Sequence, residues 1–119
     1  MLNFMAYNAL NYAMTDLEKY KAVAAIFRLE QARAKIDEKN FLLTSSRYKI
    51  DHQIKSFYSN KFMKVLSSLS KNYKHLLENE FLKDNDSFWY TDFYSKTTYY
   101  KYRKNAVNEF LIYYFEDEE

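Results

Sequence analysis

The chain contains no glycine, no proline and no cysteine. At average usage of about 7% and about 5%, a sequence this long holds roughly fourteen glycines and prolines together, so their absence constrains the fold. Without glycine no corner can rest on a low-cost positive φ, which disfavours tight hairpins, bulges and glycine-closed sheets and removes every Gly-rich phosphate loop. What remains is an all-α class: a helical bundle of four to six helices, joined by Asn, Asp and Ser loops. Asn40, Asn72, Asn79 and Asn85 are the candidates for left-handed caps or turns. The missing cysteine excludes disulfides, a thiolate nucleophile and a thiolate zinc site, and suits a cytoplasmic protein.

Histidine is nearly as scarce. His52 and His75 are the only imidazoles, and neither lies in an HExxH pattern. The one adjacent carboxylate, Asp51, is at i,i+1 to His52 and points elsewhere on a helix. Glu78 and Glu80 are two residues apart and face different ways. The terminal run Glu116 to Glu119 reads as solvated. The chain is therefore read as not an enzyme, with no metal and no cofactor. Its first residues, MLNFMAYNALNYAM, have no basic start and no small-residue cleavage site, and Asn3, Asn8 and Asn11 interrupt them. That reads as neither a signal peptide nor a membrane span.

Charge is present but segregated. Between Arg47 and Lys74 stand Arg47, Lys49, Lys55, Lys61, Lys64, Lys71 and Lys74 against the single acid Asp51, whereas the last four residues are all acidic. Such asymmetry suits a polyanion-binding module with an acidic tail; a lysine-rich solvated face is the plainer reading of the same pattern. Aromatic residues make up 20% of the chain, enough to give a glycine-free core a large buried area per residue.

Periodicity orders the helices. The first is expected over about 2–13 with Leu2, Met5, Ala6, Ala9 and Ala13 on one face. Thr15 and Glu18 have capping-box spacing for a second over about 16–39, carrying Tyr20, Val23, Ala24, Phe27 and Ala34. Phe41 to Leu43 is read as its break. A third follows over about 46–68, opened by Thr44, Ser45 or Ser46, with the stripe Ile50, Ile54, Phe57, Met63 and Leu66. Ser70 caps a fourth over about 71–83, KDND at 83–86 is a loop, and a short helix at 87–93 precedes a long one from Lys96 to about 115. The length suits one domain, or a small domain with a helical extension; residues 1–64 are read as a helical scaffold and possible dimerisation region, through an Ala-rich helix bearing Val23 and Phe27, and residues 65–119 as a C-terminal helix-turn-helix module.

The last long helix carries the functional signal. Ser95 is placed to cap the amide of Thr97 or Thr98. Tyr99, Tyr102, Ala106, Phe110 and Tyr113 then recur at steps of three and four, which sets one face inward. Thr97, Tyr100, Lys101, Lys104 and Asn108 fall opposite, and the charges from Ser95 to Lys104, namely Lys96, Lys101, Arg103 and Lys104, are all positive. A helix buried on one side and cationic on the other suits a DNA major groove. Phe88, Trp89 and Phe93 are read as the inner face of a helix-turn-helix rather than as a base-stacking platform.

The run SKTTYYKYRKNAVNEF at 95–110 resembles the end of the ArpU and RinA type phage transcription regulators, which in turn resemble region 4 of bacterial sigma factors. VLSSLSKNYKHLLENEFL at 65–82 is similar to the helix that opens such a domain, with Leu66, Leu69, Leu76, Leu77 and Phe81 at its apolar positions. Where the family usually has Leu-Gly before the recognition helix, this chain has Asp92 and Phe93. The resemblance covers the last half of the chain. It implies a cytoplasmic, DNA-binding transcription regulator with a C-terminal helix-turn-helix, contacting double-stranded DNA through Lys96, Thr97, Thr98, Tyr100, Lys101, Arg103 and Lys104, with Lys71 and Lys74 on the flanking backbone. RNA polymerase or a homodimer partner are the alternatives it leaves open, as a helical interaction module without DNA readout. Richness in Lys, Asn, Phe and Tyr suits an AT-rich coding sequence, as in a mycoplasma, another low-GC bacterium or its phage, and small mycoplasmal proteins share this ending as a further resemblance.

Overall fold

The computed structural model describes residues 4–44 and 57–116, and among these the chain is all-α, with five α-helices and no strand. The order is α1 (Phe4–Ala13), α2 (Asp16–Thr44), α3 (Asn60–Ser68), α4 (Lys71–Leu77), and α5 (Lys96–Phe115). A π-helical turn, Glu78–Leu82, continues α4, and a 3₁₀ turn, Trp89–Asp92, precedes α5. No described residue has a positive φ. The expected left-handed asparagines are therefore absent: Asn40 lies within α2, Asn72 within α4 and Asn79 within the π turn, while Asn85 sits in the loop. Corners are made instead by extended residues, among them Ser59, Leu69, Ser70, Lys83 and Ser95, each with ψ near 150–160°. Any L-residue adopts that conformation without strain, so a chain lacking glycine can still turn.

Local chemistry explains most of the boundaries. Thr15 N–H donates to Glu18 Oε1 at 2.8 Å and Glu18 N–H donates to Thr15 Oγ1 at 3.1 Å, closing the capping box that opens α2. The expected break at Phe41–Leu43 does not occur, because nothing there opposes helical φ and ψ; α2 continues to Thr44, and the Phe41 ring meets Phe57 at 5.7 Å. The third helix starts later than the spacing suggests. Ser59 caps it, accepting from Phe62 N–H at 3.1 Å, while its own N–H and Oγ donate to Glu30 of α2. Residues 45–56, with Ile50, Ile54 and the cations Arg47, Lys49 and Lys55, lie outside the described residues, as do His52, Leu2 and residues 117–119. The segment 65–82 is two helices: α3 ends at an extended Leu69 and Ser70, whose N–H donates to Glu109 Oε1 of α5 at 3.0 Å.

Several inward faces also shift. In α1, Met5, Ala9 and Ala13 are exposed, and the helix docks through Leu10 and Tyr7, each of which removes more apolar area from water than an alanine. In α3, Met63 is exposed and Phe62, Val65 and Leu66 are buried. The core centres on α5, which packs against α1, α2, α3 and α4. Phe27, fully buried, meets Phe62 at 4.9 Å, Phe81 at 5.2 Å and Phe110 at 5.2 Å. Offset and edge contacts of this kind each add about 0.5–1.5 kcal/mol to the area term. One apolar cluster runs from Leu10 to Ile112, across residue 64. Val23 and Phe27 belong to it, so neither is free to mediate a dimer. No described helix is long and apolar enough to cross a membrane.

Candidate nucleic-acid interface

Two different halves make up α5. From Ala106 to Ile112 it is core: Ala106, Val107, Asn108, Phe110, Leu111 and Ile112 are all buried. From Lys96 to Lys104 one side stays in solvent, and there Lys96, Thr97, Tyr100, Lys101 and Lys104 are each exposed. Positions 96, 97, 100, 101 and 104 form a continuous stripe at 100° per residue, containing three cations and no acid. Ser95 begins the helix as expected, accepting from Thr98 N–H at 3.2 Å, with the Thr98 hydroxyl 3.0 Å from its own. Thr98 is thereby spent on the cap and is half-buried.

Arg103 takes no part in the exposed stripe. Its guanidinium lies 4.2 Å from the Tyr20 ring centre and 4.8 Å from that of Tyr100. Lys104 is drawn toward α2 by Asp16, at 3.6 Å, an exposed pair that contributes little. Asn108 departs from the expected polar face altogether. Its Oδ1 accepts from the Lys19 ammonium at 2.9 Å, which also donates to Asn11 Oδ1 and lies 3.7 Å from Asp16. Lys19 is 1% exposed and ties α1, α2 and α5 together. A buried ammonium needs such acceptors, since stripping it of water is costly otherwise.

Lys71 and Lys74 stand elsewhere. The first turn of α4 is held to α5 by the Ser70–Glu109 bond and by Asn105 Nδ2 donating to Tyr73 Oη at 3.2 Å. Asn105 follows Lys101 by one turn, about 40° around the helix, and Glu109 lies about 140° from Lys104. On α4 itself Lys71 is exposed and Lys74 half-buried.

The residue that sequence reasoning passed over is Glu80. Its carboxylate accepts from Tyr20 Oη at 2.6 Å, Tyr99 Oη at 2.7 Å and Trp89 Nε1 at 2.8 Å, joining α2, the 3₁₀ turn and the start of α5. Burial raises the Tyr20 and Tyr99 phenols above their ordinary 10.0, and the hydrogen bond to Glu80 raises them further, against a lowering by Arg103. Tyr90 stacks on Tyr99 at 3.8 Å, nearly parallel, within a cleft of about 340 Å³. A π turn changes which side chains share a face, so helical spacing alone hides this cluster. The same turn region reverses another expectation: Trp89 is half-buried, but Phe88 and Phe93 are 67% and 59% exposed, and Tyr90 takes the inner position. His75 packs edge-on to Phe93 at 5.2 Å. No group of His, Asp and Glu among the described residues is placed to hold a metal ion. Scans of protein-family models, of curated proteins and of solved structures each gave no match to this chain.

Proposed function

We propose that the chain is a cytoplasmic DNA-binding regulator, with α4, the 3₁₀ turn and α5 acting as a sigma region 4-like helix-turn-helix and the first three turns of α5 entering the major groove. One observation carries the reading: Lys96, Thr97, Tyr100, Lys101 and Lys104 share an exposed stripe free of acids on a helix that is anchored in the core through Tyr99 and the turns from Ala106 to Ile112. Such a helix is held rigidly and offers cations, a hydroxyl and an aromatic edge to phosphates and bases. The Glu80 cluster supports it by fixing the end of the helix that would read the groove.

Fluorescence anisotropy of random duplex DNA over a salt series tests the proposal. Three lysines neutralising three phosphates give a log–log slope of about −2.7. Lys96→Glu with Lys101→Glu should abolish binding at low salt without changing helicity. Unchanged affinity in that variant, or no binding by the natural chain, rejects the assignment. A second reading, a helical module docking on a protein such as RNA polymerase, is favoured by Phe88 and Phe93, which stand exposed at the turn where a helix-turn-helix would bury them. Polymerase capture that Phe88→Ser with Phe93→Ser lowers, in a chain that binds no duplex DNA at low salt, would select it.

A further inference from the structure

The outer face of α2 carries a second surface, unrelated to α5. Ala22, Leu29, Ile36 and Leu43 recur every seven residues, with Ala25 and Ala32 between them. This is the spacing of a coiled-coil seam. Leu29, Ile36 and Leu43 are 70%, 60% and 71% exposed. They lie roughly 120–180° around the helix from Val23 and Phe27, so they are not an edge of the core. Lys21, Arg28 and Lys35, again seven apart, run along one flank; Arg33 stands on the other and Lys39 on the seam itself, all exposed. Arg33 has a partner in Glu30 at 3.3 Å, on its own helix. Glu18, the acid on this face, is held in the α2 capping box. Asp37 and Glu38 fall at least 100° from Ile36.

We infer that this seam docks an acidic amphipathic helix of another protein, with long apolar side chains facing Ala25 and Ala32 and carboxylates on both flanks. Charge selects this occupant. Parallel pairing with a second copy sets Arg28 against the partner copy's flank at Arg33, and antiparallel pairing sets the Lys21, Arg28 and Lys35 flank against itself. Both bring cation to cation, which specifies against self-association. Segment 45–56 of this chain, with Arg47, Lys49 and Lys55 against Asp51, is cationic too. The run Glu116 to Glu119 is acidic but has no apolar residue to fill a seam. A lipid surface takes a broad face of bulky side chains, whereas this seam is narrow and alternates large residues with alanine.

The test uses the full chain and a fluorescent synthetic helix of 28 residues with Leu at a and d and Glu at e and g; its counterpart has Lys at e and g. Saturable binding of the Glu peptide is expected, weakening with salt, with none for the Lys peptide. Leu29→Gln with Ile36→Gln should weaken it at least tenfold and leave the melting temperature unchanged, because the positions are exposed and Gln suits a helix interior nearly as well as Leu. Equal binding of both peptides, or of neither, overturns the proposal. So does a dimer by sedimentation that the variant dissolves, which makes a second copy the occupant. A melting point several degrees lower in the variant would show the seam covered within the chain. Sedimentation with phosphatidylserine vesicles in place of peptide binding would assign it to lipid.

Discussion

Glu80 is surrounded by neutral donors, so its charge is spread over three hydrogen bonds to Tyr20, Tyr99 and Trp89 instead of one ion pair. That arrangement ties stability to phenol protonation. An ionised Tyr20 or Tyr99 has no proton to donate and places a second negative charge against the carboxylate. Both phenols are raised above 10.0 in the folded chain, by burial first and the bond to Glu80 second. A group raised on folding contributes stability fully below its unfolded value and loses it as pH climbs toward the folded one. Stability to urea should therefore hold up to about pH 10 and fall above it. Replacing both tyrosines by phenylalanine should flatten that alkaline loss; a double variant with an unchanged slope would show that other groups drive it. The cluster as a whole fixes the entry of α5, because it ties Tyr99 of that helix to α2 and to the 3₁₀ turn.

At the scale of the helix, α5 has one anchored half and one presented half, and the cap decides how well the presented half holds. Ser95→Ala removes the acceptor for Thr98 N–H and should cost about 1 kcal/mol. Amide exchange should accelerate at Thr97 to Tyr99 while the buried turns from Ala106 onward stay protected. Equal acceleration along the whole helix would mean that its two halves are not independent. Sequence order had already revealed this cap, the Thr15–Glu18 box, the span of α5 and its inward Tyr99, Ala106 and Phe110, because each depends on residues three or four apart. What stayed hidden depends on partners far along the chain. Asn108 looks polar-facing until Lys19, 89 residues away, turns it inward. Phe88 and Phe93 read as core until Tyr90 stacks on Tyr99 in their stead. The onward run of α2 through Phe41 and the π turn at Glu78–Leu82 leave no local signature, since no residue in either stretch prefers them over the alternative.

Across the whole molecule, the sequence suggests one domain, or a small domain with a helical extension, and one buried cluster joins the scaffold of 1–64 to the module of 65–119. Phe110 and Phe62 close around Phe27, and α5 also rests on α1 through Leu10. Cutting at residue 64 would uncover the side of α5 that faces α1 and α2 and strand Asn108 without Lys19. Each large apolar side chain so exposed forfeits about 1.5–3 kcal/mol, against a total stability of about 5–15 kcal/mol for a domain. A fragment of 65–119 is also below the size at which one core comfortably sustains itself. It should therefore lack a cooperative melting transition, whereas the full chain should unfold in a single one, followed by circular dichroism and tyrosine fluorescence with coincident midpoints. Phe27→Ala in the full chain should cost about 3–5 kcal/mol and lower both signals together. A fragment that melts cooperatively, or two separated transitions in the full chain, would show that the helices after residue 64 fold on their own and that the first half is an attachment rather than part of their core. On the shared-core account, any DNA affinity of α5 is lost with α2, although α2 contributes no residue to the exposed stripe.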